Sequence, residues 1–255
     1  MRHSKRYGGK EKAIRRHPFS IKRQGVSEPM HTFEPTTDAE EIERVPAADG
    51  ELALRRAGEH YEIISNGCFL MDTRAGASER LLARTALAAV TAPGDLRVLV
   101  GGLGVGFTLR ETLTDPRVAH VRVIEREPAV VRWGRGPLAP FSGHALDDAR
   151  VHVVTADLVA WVRSGAGDER FHALCLDIDN GPDWTVTDGN ASLYDDAGLA
   201  ALRERLAPGG VLTVWSATAS PGFADRLRGH FARVRVERVP VARGEPDVVF
   251  VAQEG

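Results

Sequence analysis

A glycine cluster between a short apolar run and a helix-like segment most constrains how this chain can fold. In RVLVGGLGVGFTLRETL, residues 97–113, a run of β-branched and leucine residues leads into the glycines Gly101, Gly102, Gly104 and Gly106. Glycine lets the backbone turn sharply and approach a ligand, and a helix that begins near Phe107 points its free N–H groups back at the same place. The pattern predicts a strand–loop–helix unit whose four glycines bind a nucleotide-like ligand.

The spacing of the glycines indicates which kind of nucleotide-like ligand is favoured. Gly102, Gly104 and Gly106 read GxGxG, and Phe107 stands where the dinucleotide fingerprint GxGxxG has its last glycine. This spacing favours an adenosine ligand without a diphosphate, such as S-adenosylmethionine. A glycine turn that binds nothing is the structural alternative. Hydride transfer with NAD is disfavoured, because no plausible set of catalytic His, Lys and Tyr residues follows the cluster.

Alternating strand and helix patterns predict the fold. After residue 113, short apolar runs alternate with amphipathic segments, which is typical of a parallel, doubly wound sheet. We predict a class I S-adenosylmethionine methyltransferase-like (Rossmann-like) α/β domain over residues 78–255, with a seven-stranded sheet and a closing antiparallel hairpin. The segments ELALRRAG, HYEIISNG and CFLMDT predict a small β element of two or three strands over residues 51–77. SERLLARTALAAV predicts a helix with Ser78 as its N-cap.

Residues 1–50 have the composition of a disordered tail, first basic and then acidic. Residues 1–30 carry a net charge of +7, which leaves −9 for the rest of a chain whose total is −2. A tail of this kind could contact nucleic acid or acidic partners, but a solvated tail is the simpler interpretation. Composition changes at Met30, so the natural start could lie there. We assign the tail no function.

Composition excludes several other classes of protein. The chain has 255 residues, 43% of them hydrophobic, and no run approaches the length that spans a bilayer or forms the core of a secretion signal. A cytoplasmic protein without a membrane association is expected. Cys68 and Cys175 are far apart and lack metal-ligand spacing, so neither a disulfide framework nor a metal site is predicted.

Acidic residues follow the predicted strands at the edge where such sheets bind ligands. Glu125 lies 24 residues after Gly101, close to the offset at which an acidic residue binds ribose hydroxyls. A carboxylate suits this role because it can accept from both cis hydroxyls. Asp157 could accept from the exocyclic amine of adenine or cap the next helix, and the two roles are compatible because one carboxylate has two oxygens.

Two further carboxylates end the fourth predicted strand of the α/β domain, beside the expected position of a sulfonium. Asp177 and Asp179 could hold a cationic amine and take up the proton that it releases, so both are predicted to be catalytic. Asp177 would orient and deprotonate the amine, and Asp179 would supply charge to a second amino group. Trp184 and Tyr194 could form an apolar or cation–π wall around the substrate, with core packing as the alternative for each.

Several motifs in order carry a family resemblance. The series GGLGVGFTLRETL, VIEREPAVV, DARVHVVTAD, LDIDNGP and NASLYDDAGLAALRERLAPGGVL resembles the spermidine synthase (polyamine aminopropyltransferase) family over residues 51–253. The resemblance implies transfer of an aminopropyl group from decarboxylated S-adenosylmethionine to an amine or polyamine, in polyamine biosynthesis. It places Glu125 at the ribose, Asp157 at the adenine and Asp177 at the attacking amine. It further implies a closing loop at residues 180–182, Tyr194 near the substrate channel, and a homodimer.

Two departures from the family pattern leave the donor open. The family loop usually reads GGGDGG, and Gly104 stands where its aspartate binds the amine of the donor. The loop after the fourth strand is one residue shorter than usual and inserts Ile178. Loss of a charge partner disfavours the decarboxylated donor, so a methyltransferase that uses intact S-adenosylmethionine is the alternative. A non-catalytic binding protein is the second alternative, although joint retention of Glu125, Asp157 and Asp177 argues against it.

Overall fold

The structure, a computed structural model, describes residues 38–164, 169–241 and 244–255. These residues belong to one compact unit. The predicted basic tail lies outside the described residues. The strands and helices of the described part follow the chain in this order: β1 Glu40–Ala47, β2 Gly50–Ala57, β3 His60–Ser65, β4 Cys68–Asp72, α1 Ala77–Ala89, β5 Leu96–Gly101, α2 Phe107–Leu113, β6 Val118–Glu125, α3 Pro128–Arg135, β7 Val151–Thr155, α4 Leu158–Arg163, β8 Phe171–Leu176, α5 Asp196–Glu204, β9 Leu206–Ser216, α6 Pro221–His230, β10 Arg233–Val239 and β11 Asp247–Gln253.

The large sheet confirms the predicted class I methyltransferase-like fold. Its seven strands lie in the order β10-β11-β9-β8-β5-β6-β7. The five strands from β9 to β7 in this order are parallel to one another, and β11 runs antiparallel between β9 and β10. The chain order reverses on the two sides of β5, so a crevice opens beyond its carboxyl end. The predicted glycine loop follows β5 directly.

Two hydrophobic layers cover the large sheet, one on each face. Successive residues of β5 alternate between them: Val98 and Val100 belong to one cluster and Leu99 to the other. Helices α1, α2 and α3 contribute to the first layer, and α4, α5 and α6 to the second. Period-two alternation on a strand covered on both faces explains why β5 reads as a continuous apolar run.

The small N-terminal sheet is larger than predicted. It has four antiparallel strands in the order β1-β2-β3-β4, and its first strand begins at Glu40, inside the segment predicted to be a disordered tail. Residues 40–50 therefore belong to the folded part of the chain. Leu52, Leu54 and Ile63 pack in the same hydrophobic cluster as α1 to α3, so the small sheet and the large sheet share a core.

Helix α1 begins two residues earlier than the predicted cap implies, with a different cap. Its N-cap is Gly76, in a left-handed conformation and without a side-chain hydrogen bond, so Ser78 does not cap the helix. No helix in the described ranges combines the length and the apolar character needed to cross a membrane.

Candidate active site

A cavity of about 270 Å³ opens at the carboxyl ends of β5, β6 and β8, beneath the small sheet. Six of the predicted site residues line it, and they are Gly102, Gly104, Glu125, Asp157, Asp177 and Asp179. Parallel strands bring these residues together because their carboxyl ends share one edge of the sheet. A second, open depression on the outer face of α3 contains none of the predicted site residues.

Two glycines form the floor of the cavity. Gly102 has a φ of 87°, and a Cβ atom there would lie 2.2 Å from the backbone oxygen of Asp177. Gly104 has a φ of 51°, and its missing Cβ would lie 2.5 Å from Sδ of Met71. The left-handed backbone favours glycine at both positions, and the fixed backbone oxygen of Asp177 additionally excludes a side chain at Gly102. The Met71 thioether on β4 covers the loop at Gly104.

The other two predicted glycines support the loop rather than face the cavity. A Cβ at Gly101 would meet the buried side chains of Leu158 and Leu176, and one at Gly106 would meet Ser142. Neither residue is among those that line the cavity. Gly101 permits close helix–sheet packing, and Gly106 precedes the first turn of α2.

Glu125 joins the glycine loop to the next helix. Its Oε2 accepts a hydrogen bond from the backbone N–H of Leu103 at 2.9 Å, and its Oε1 accepts from the N–H of Glu127 at 2.8 Å. Burial raises the pKa of Glu125 above its usual value, and the two N–H donors oppose that effect. Each oxygen keeps a second lone pair for a ribose hydroxyl.

Asp157 combines the two roles that the sequence left open. Its Oδ1 accepts from the backbone N–H of Ala160 at 2.8 Å, which makes it the N-cap of α4. Its other oxygen accepts from no residue in the described ranges. Because Asp157 also lines the cavity, that oxygen can accept from a ligand amine while the first caps the helix.

Asp177 is the carboxylate without a partner. Within the described part of the chain, no hydrogen bond reaches its side chain, and its exposed part lines the cavity. Burial, followed by the nearby carboxylates of Glu79, Asp247 and Asp179, raises the pKa of Asp177 well above its usual value. A carboxylate in this state readily accepts a cation or a proton.

Asp179 has a different role from the one predicted. Its Oδ1 accepts from the backbone N–H of Val186 at 2.7 Å and from Nδ2 of Asn190 at 2.8 Å, and its Oδ2 accepts from the Tyr194 hydroxyl at 2.9 Å. Three hydrogen-bond donors of the protein therefore satisfy both oxygens of this carboxylate. Asp179 therefore anchors the loop that follows β8, and its geometry does not support a second amine-binding group.

The predicted aromatic wall is also placed differently. Tyr194 is 3% exposed, and its ring makes an edge contact with Phe223 at 5.7 Å between centroids. Trp184 is 39% exposed and is not among the residues that line the cavity. Core packing accounts for Tyr194, and the aromatic side chain that does line the cavity is Trp215 on β9.

Sequence reasoning missed a carboxyl pair beside Asp177. Glu79, in the first turn of α1, lines the cavity, and Asp247 opens β11. The Ser78 hydroxyl lies 3.0 Å from Oε2 of Glu79 and 2.8 Å from Oδ2 of Asp247. Burial raises the pKa of both carboxyls. An acidic residue in the first turn of a helix is ordinary, so no local signal identified Glu79.

A turn of the small sheet closes the cavity on the Glu125 side. The backbone N–H of Ala48, between β1 and β2, donates to the Glu127 carboxylate at 3.2 Å. Arg126 lies 2.7 Å from Asp49 in the same turn and 3.2 Å from Glu127. These contacts hold the β1–β2 turn against the end of β6, and Asp49, Arg126 and Glu127 all line the cavity.

The lining of the cavity is rich in acidic side chains. Its lining includes seven carboxyl side chains and, among the described residues, one cationic side chain, Arg126. Arg126 is already paired with Asp49 and Glu127. Carboxylate groups in a cavity attract and orient cationic ligands and disfavour anionic ones.

Fold and cavity together define a class I methyltransferase-like α/β protein. Solved structures that share this fold include the following three. A spermidine synthase from Thermotoga maritima has a TM-score of 0.68 and 20% identity, and the match covers 85% of this chain and 73% of that chain. A spermidine synthase in complex with the transition state analogue AdoDATO has a TM-score of 0.70 and 19% identity, with coverages of 85% and 74%. The human methyltransferase-like protein 13 in complex with SAH has a TM-score of 0.52 and 20% identity, with coverages of 72% and 82%.

Sequence comparison shows which members of this class the chain resembles. A polyamine aminopropyltransferase from Mycobacterium tuberculosis is 30% identical over 165 residues, which are 64% of this chain and 30% of the relative. Polyamine aminopropyltransferase 1 from Streptomyces coelicolor is 37% identical over 138 residues, 53% of this chain and 24% of the relative. The matches thus cover less than a third of these relatives' own length. No family model matches the chain. The predicted resemblance to the spermidine synthase family is confirmed by these relatives.

Proposed function

We propose that this protein transfers an aminopropyl group from decarboxylated S-adenosylmethionine to an amine or polyamine. The negative cavity at the end of the glycine loop is the observation that carries the proposal. The decarboxylated donor has two positive charges, a sulfonium and an ammonium, and has no carboxylate. A cavity lined by seven carboxyl groups and one paired arginine suits such a ligand better than intact S-adenosylmethionine. Similarity to polyamine aminopropyltransferases supports the same reaction.

The proposed roles follow from position. The glycine loop approaches the adenosyl group, Glu125 accepts from the ribose hydroxyls, and the free oxygen of Asp157 accepts from the adenine amine. Asp177, which has no partner among the described residues, binds the acceptor ammonium and takes up one proton. The uncharged nitrogen then attacks the propyl carbon that is bonded to sulfur.

Charge and atoms balance in this step without a covalent enzyme intermediate. The new bond joins the acceptor nitrogen to the propyl carbon, while the carbon–sulfur bond breaks and its electron pair stays on sulfur. Methylthioadenosine leaves as a neutral thioether, and the product is a protonated secondary amine. Asp177 later releases its proton to water. The β1–β2 turn and Met71 exclude water from the sulfonium.

Methyl transfer from intact S-adenosylmethionine on the same scaffold is the second candidate. One observation favours it, since Gly104 carries no acidic side chain and the Met71 thioether fills the space above it. Intact S-adenosylmethionine carries a carboxylate as well as an ammonium on its arm. A loop without an acidic group would not repel that carboxylate.

Parallel assays with the two donors test the proposal. The purified chain is incubated with decarboxylated or intact S-adenosylmethionine and a panel of diamines and polyamines, and products are identified by mass spectrometry. We expect aminopropylated amines and methylthioadenosine from the decarboxylated donor. Methylated products and S-adenosylhomocysteine from the intact donor would instead establish the second candidate.

A further inference from the structure

We propose that Glu79 receives the terminal ammonium of the donor's aminopropyl arm and thereby selects the decarboxylated donor. The inference rests on the proposed function and deepens it. Glu79 lies outside the glycine loop and outside every motif that pointed to a ligand. It belongs to the first turn of α1, at the junction between the small sheet and the large one.

The glycine loop itself offers no countercharge to that ammonium. Residues 102–106 read Gly-Leu-Gly-Val-Gly, and the space beside Gly104 is filled by the apolar end of Met71. An ammonium left in this part of the cavity without an anion would be strongly disfavoured. A carboxylate from another element is therefore needed if the decarboxylated donor binds here.

Packing places Glu79 on the glycine-loop side of the cavity. A Cβ at Gly76, the N-cap of α1, would lie 2.4 Å from the ring of Phe107, the first residue of α2. The Arg80 guanidinium lies 4.4 Å from the centroid of the same ring, and the Thr108 hydroxyl donates to the backbone oxygen of Glu79 at 3.2 Å. These contacts hold the first turn of α1 against the helix that follows the loop. Glu79 also lines the cavity.

The contacts of Ser78 indicate that a positive charge or a proton is needed at this point. Its hydroxyl is within hydrogen-bond distance of both Glu79 and Asp247, at 3.0 and 2.8 Å. A hydroxyl has one proton and can donate it to only one of two carboxylates. The second contact is a hydrogen bond only if one carboxyl is protonated, and burial raises the pKa of both groups. An ammonium that binds Glu79 would replace this proton, so donor binding should release protons.

Calorimetry on the full chain and its Glu79→Gln variant tests the inference with three ligands. Wild type should bind decarboxylated S-adenosylmethionine at least tenfold more tightly than the intact form. In the variant, Kd for the decarboxylated donor should rise at least tenfold. Kd for methylthioadenosine, which lacks the arm, should stay within twofold of wild type. Glu204→Gln, the same change at an exposed position on α5, should leave all three values unchanged.

Titrations in two buffers of different ionisation enthalpy measure how many protons are released on binding, a number that would not change if Glu79 had only a structural role. Proton release on binding of the decarboxylated donor should be larger in wild type than in Glu79→Gln, in which Asp177 is a remaining cavity carboxyl with a strongly raised pKa. The inference is overturned if the variant loses affinity for methylthioadenosine equally, or if it raises KM for the amine and leaves the donor Kd unchanged. Absence of binding of all three ligands to wild type would overturn the proposed function as well. Normal binding with unchanged selectivity in the variant would overturn only the role of Glu79.

Discussion

At the scale of single residues, Asp177 and Asp179 differ in their hydrogen bonding although they are two positions apart. Asp179 accepts three hydrogen bonds within the protein, whereas Asp177 accepts none from the described residues. Both residues were predicted from the sequence to be catalytic, because a carboxylate at the end of a strand has the same local sequence pattern whether it binds a ligand or anchors a loop. Only the loop that folds back over Asp179 distinguishes them. That distinction depends on Tyr194, fifteen residues further along the chain.

Asp177→Asn should remove turnover while it leaves donor binding largely intact. An amide cannot accept the amine proton, and loss of a positioned general base typically costs about 10²- to 10⁴-fold in rate. Turnover is measured as methylthioadenosine released, and donor binding by calorimetry. Unchanged turnover would remove Asp177 from the mechanism. Asp225→Asn, an exposed change on α6, provides the matched control.

Gly104→Ala should weaken donor binding more than it weakens the fold. The new Cβ would lie 2.5 Å from Sδ of Met71, but the end of a methionine side chain can swing aside, here within a cavity wall. Gly58→Ala is the matched control, because its φ of 64° is similar and its Cβ would meet no described atom. Both changes should cost about 1–2 kcal/mol of unfolding free energy from left-handed backbone strain.

Urea denaturation measures the stability of both glycine variants, and calorimetry with the donor measures affinity. Only Gly104→Ala should raise the donor Kd, and Met71→Ala in the same chain should restore part of the loss. A large stability loss confined to Gly104→Ala, with donor affinity unchanged, would show that Met71 packs rigidly and does not contact the donor.

At the scale of elements, the long apolar runs were the easiest to predict from the sequence. Strands β5, β8 and β9 are buried on both faces, so their composition identifies them without knowledge of their neighbours. Strand β1 was missed because its sequence, EEIERVPA, is mostly charged, and Ile42 is 42% exposed. Its position depends on pairing with β2. Likewise the partner of Ser78 is Asp247, which lies 169 residues away, so a local capping rule assigned Ser78 wrongly.

Tyr194→Phe should weaken the loop after β8 without a change in substrate binding. The phenol donates to a buried carboxylate, and loss of a hydrogen bond to a charged group costs about 1.5–3 kcal/mol. The unfolding free energy, measured in urea, should fall by that amount, while KM for the amine stays within twofold. A large rise in KM with unchanged stability would restore the predicted contact between Tyr194 and the substrate.

At the scale of the whole molecule, the charge that suits the cavity to a cationic ligand also disfavours folding of the empty protein. Burial raises the pKa values of Glu79, Asp177 and Asp247 above those of the unfolded chain. The folded state therefore binds more protons than the unfolded state between about pH 4 and the raised pKa values. Stability from these protonated groups is present at acid pH and is lost as the pH rises.

The melting temperature of the empty protein should consequently fall between pH 5 and pH 8. The Asp177→Asn variant should show a flatter pH dependence and a higher melting temperature than wild type at pH 8. The expected increase is about 2–4 °C for each kcal/mol gained in unfolding free energy. Asp148, whose pKa is lowered to about 2 by Arg150, contributes the opposite dependence. Its effect lies below about pH 4, outside the measured range. Burial lowers the pKa of His172, so this group opposes the fall below about pH 6.5, but the three carboxyls with raised pKa values outnumber it. A melting temperature that rises from pH 5 to pH 8 in wild type would contradict the prediction.

The position of β11 has a consequence for synthesis of the chain. This strand lies between β9 and β10 in the sheet but follows both in sequence, and its first residue is Asp247. A growing chain is made from its N-terminus, so β9 presents an open edge until β11 has left the ribosome. The glycine loop, Glu125 and Asp177 can assemble before that moment, but the partner of Ser78 cannot. The carboxyl pair that meets at Ser78, Glu79 and Asp247, is therefore complete only after synthesis has passed β11.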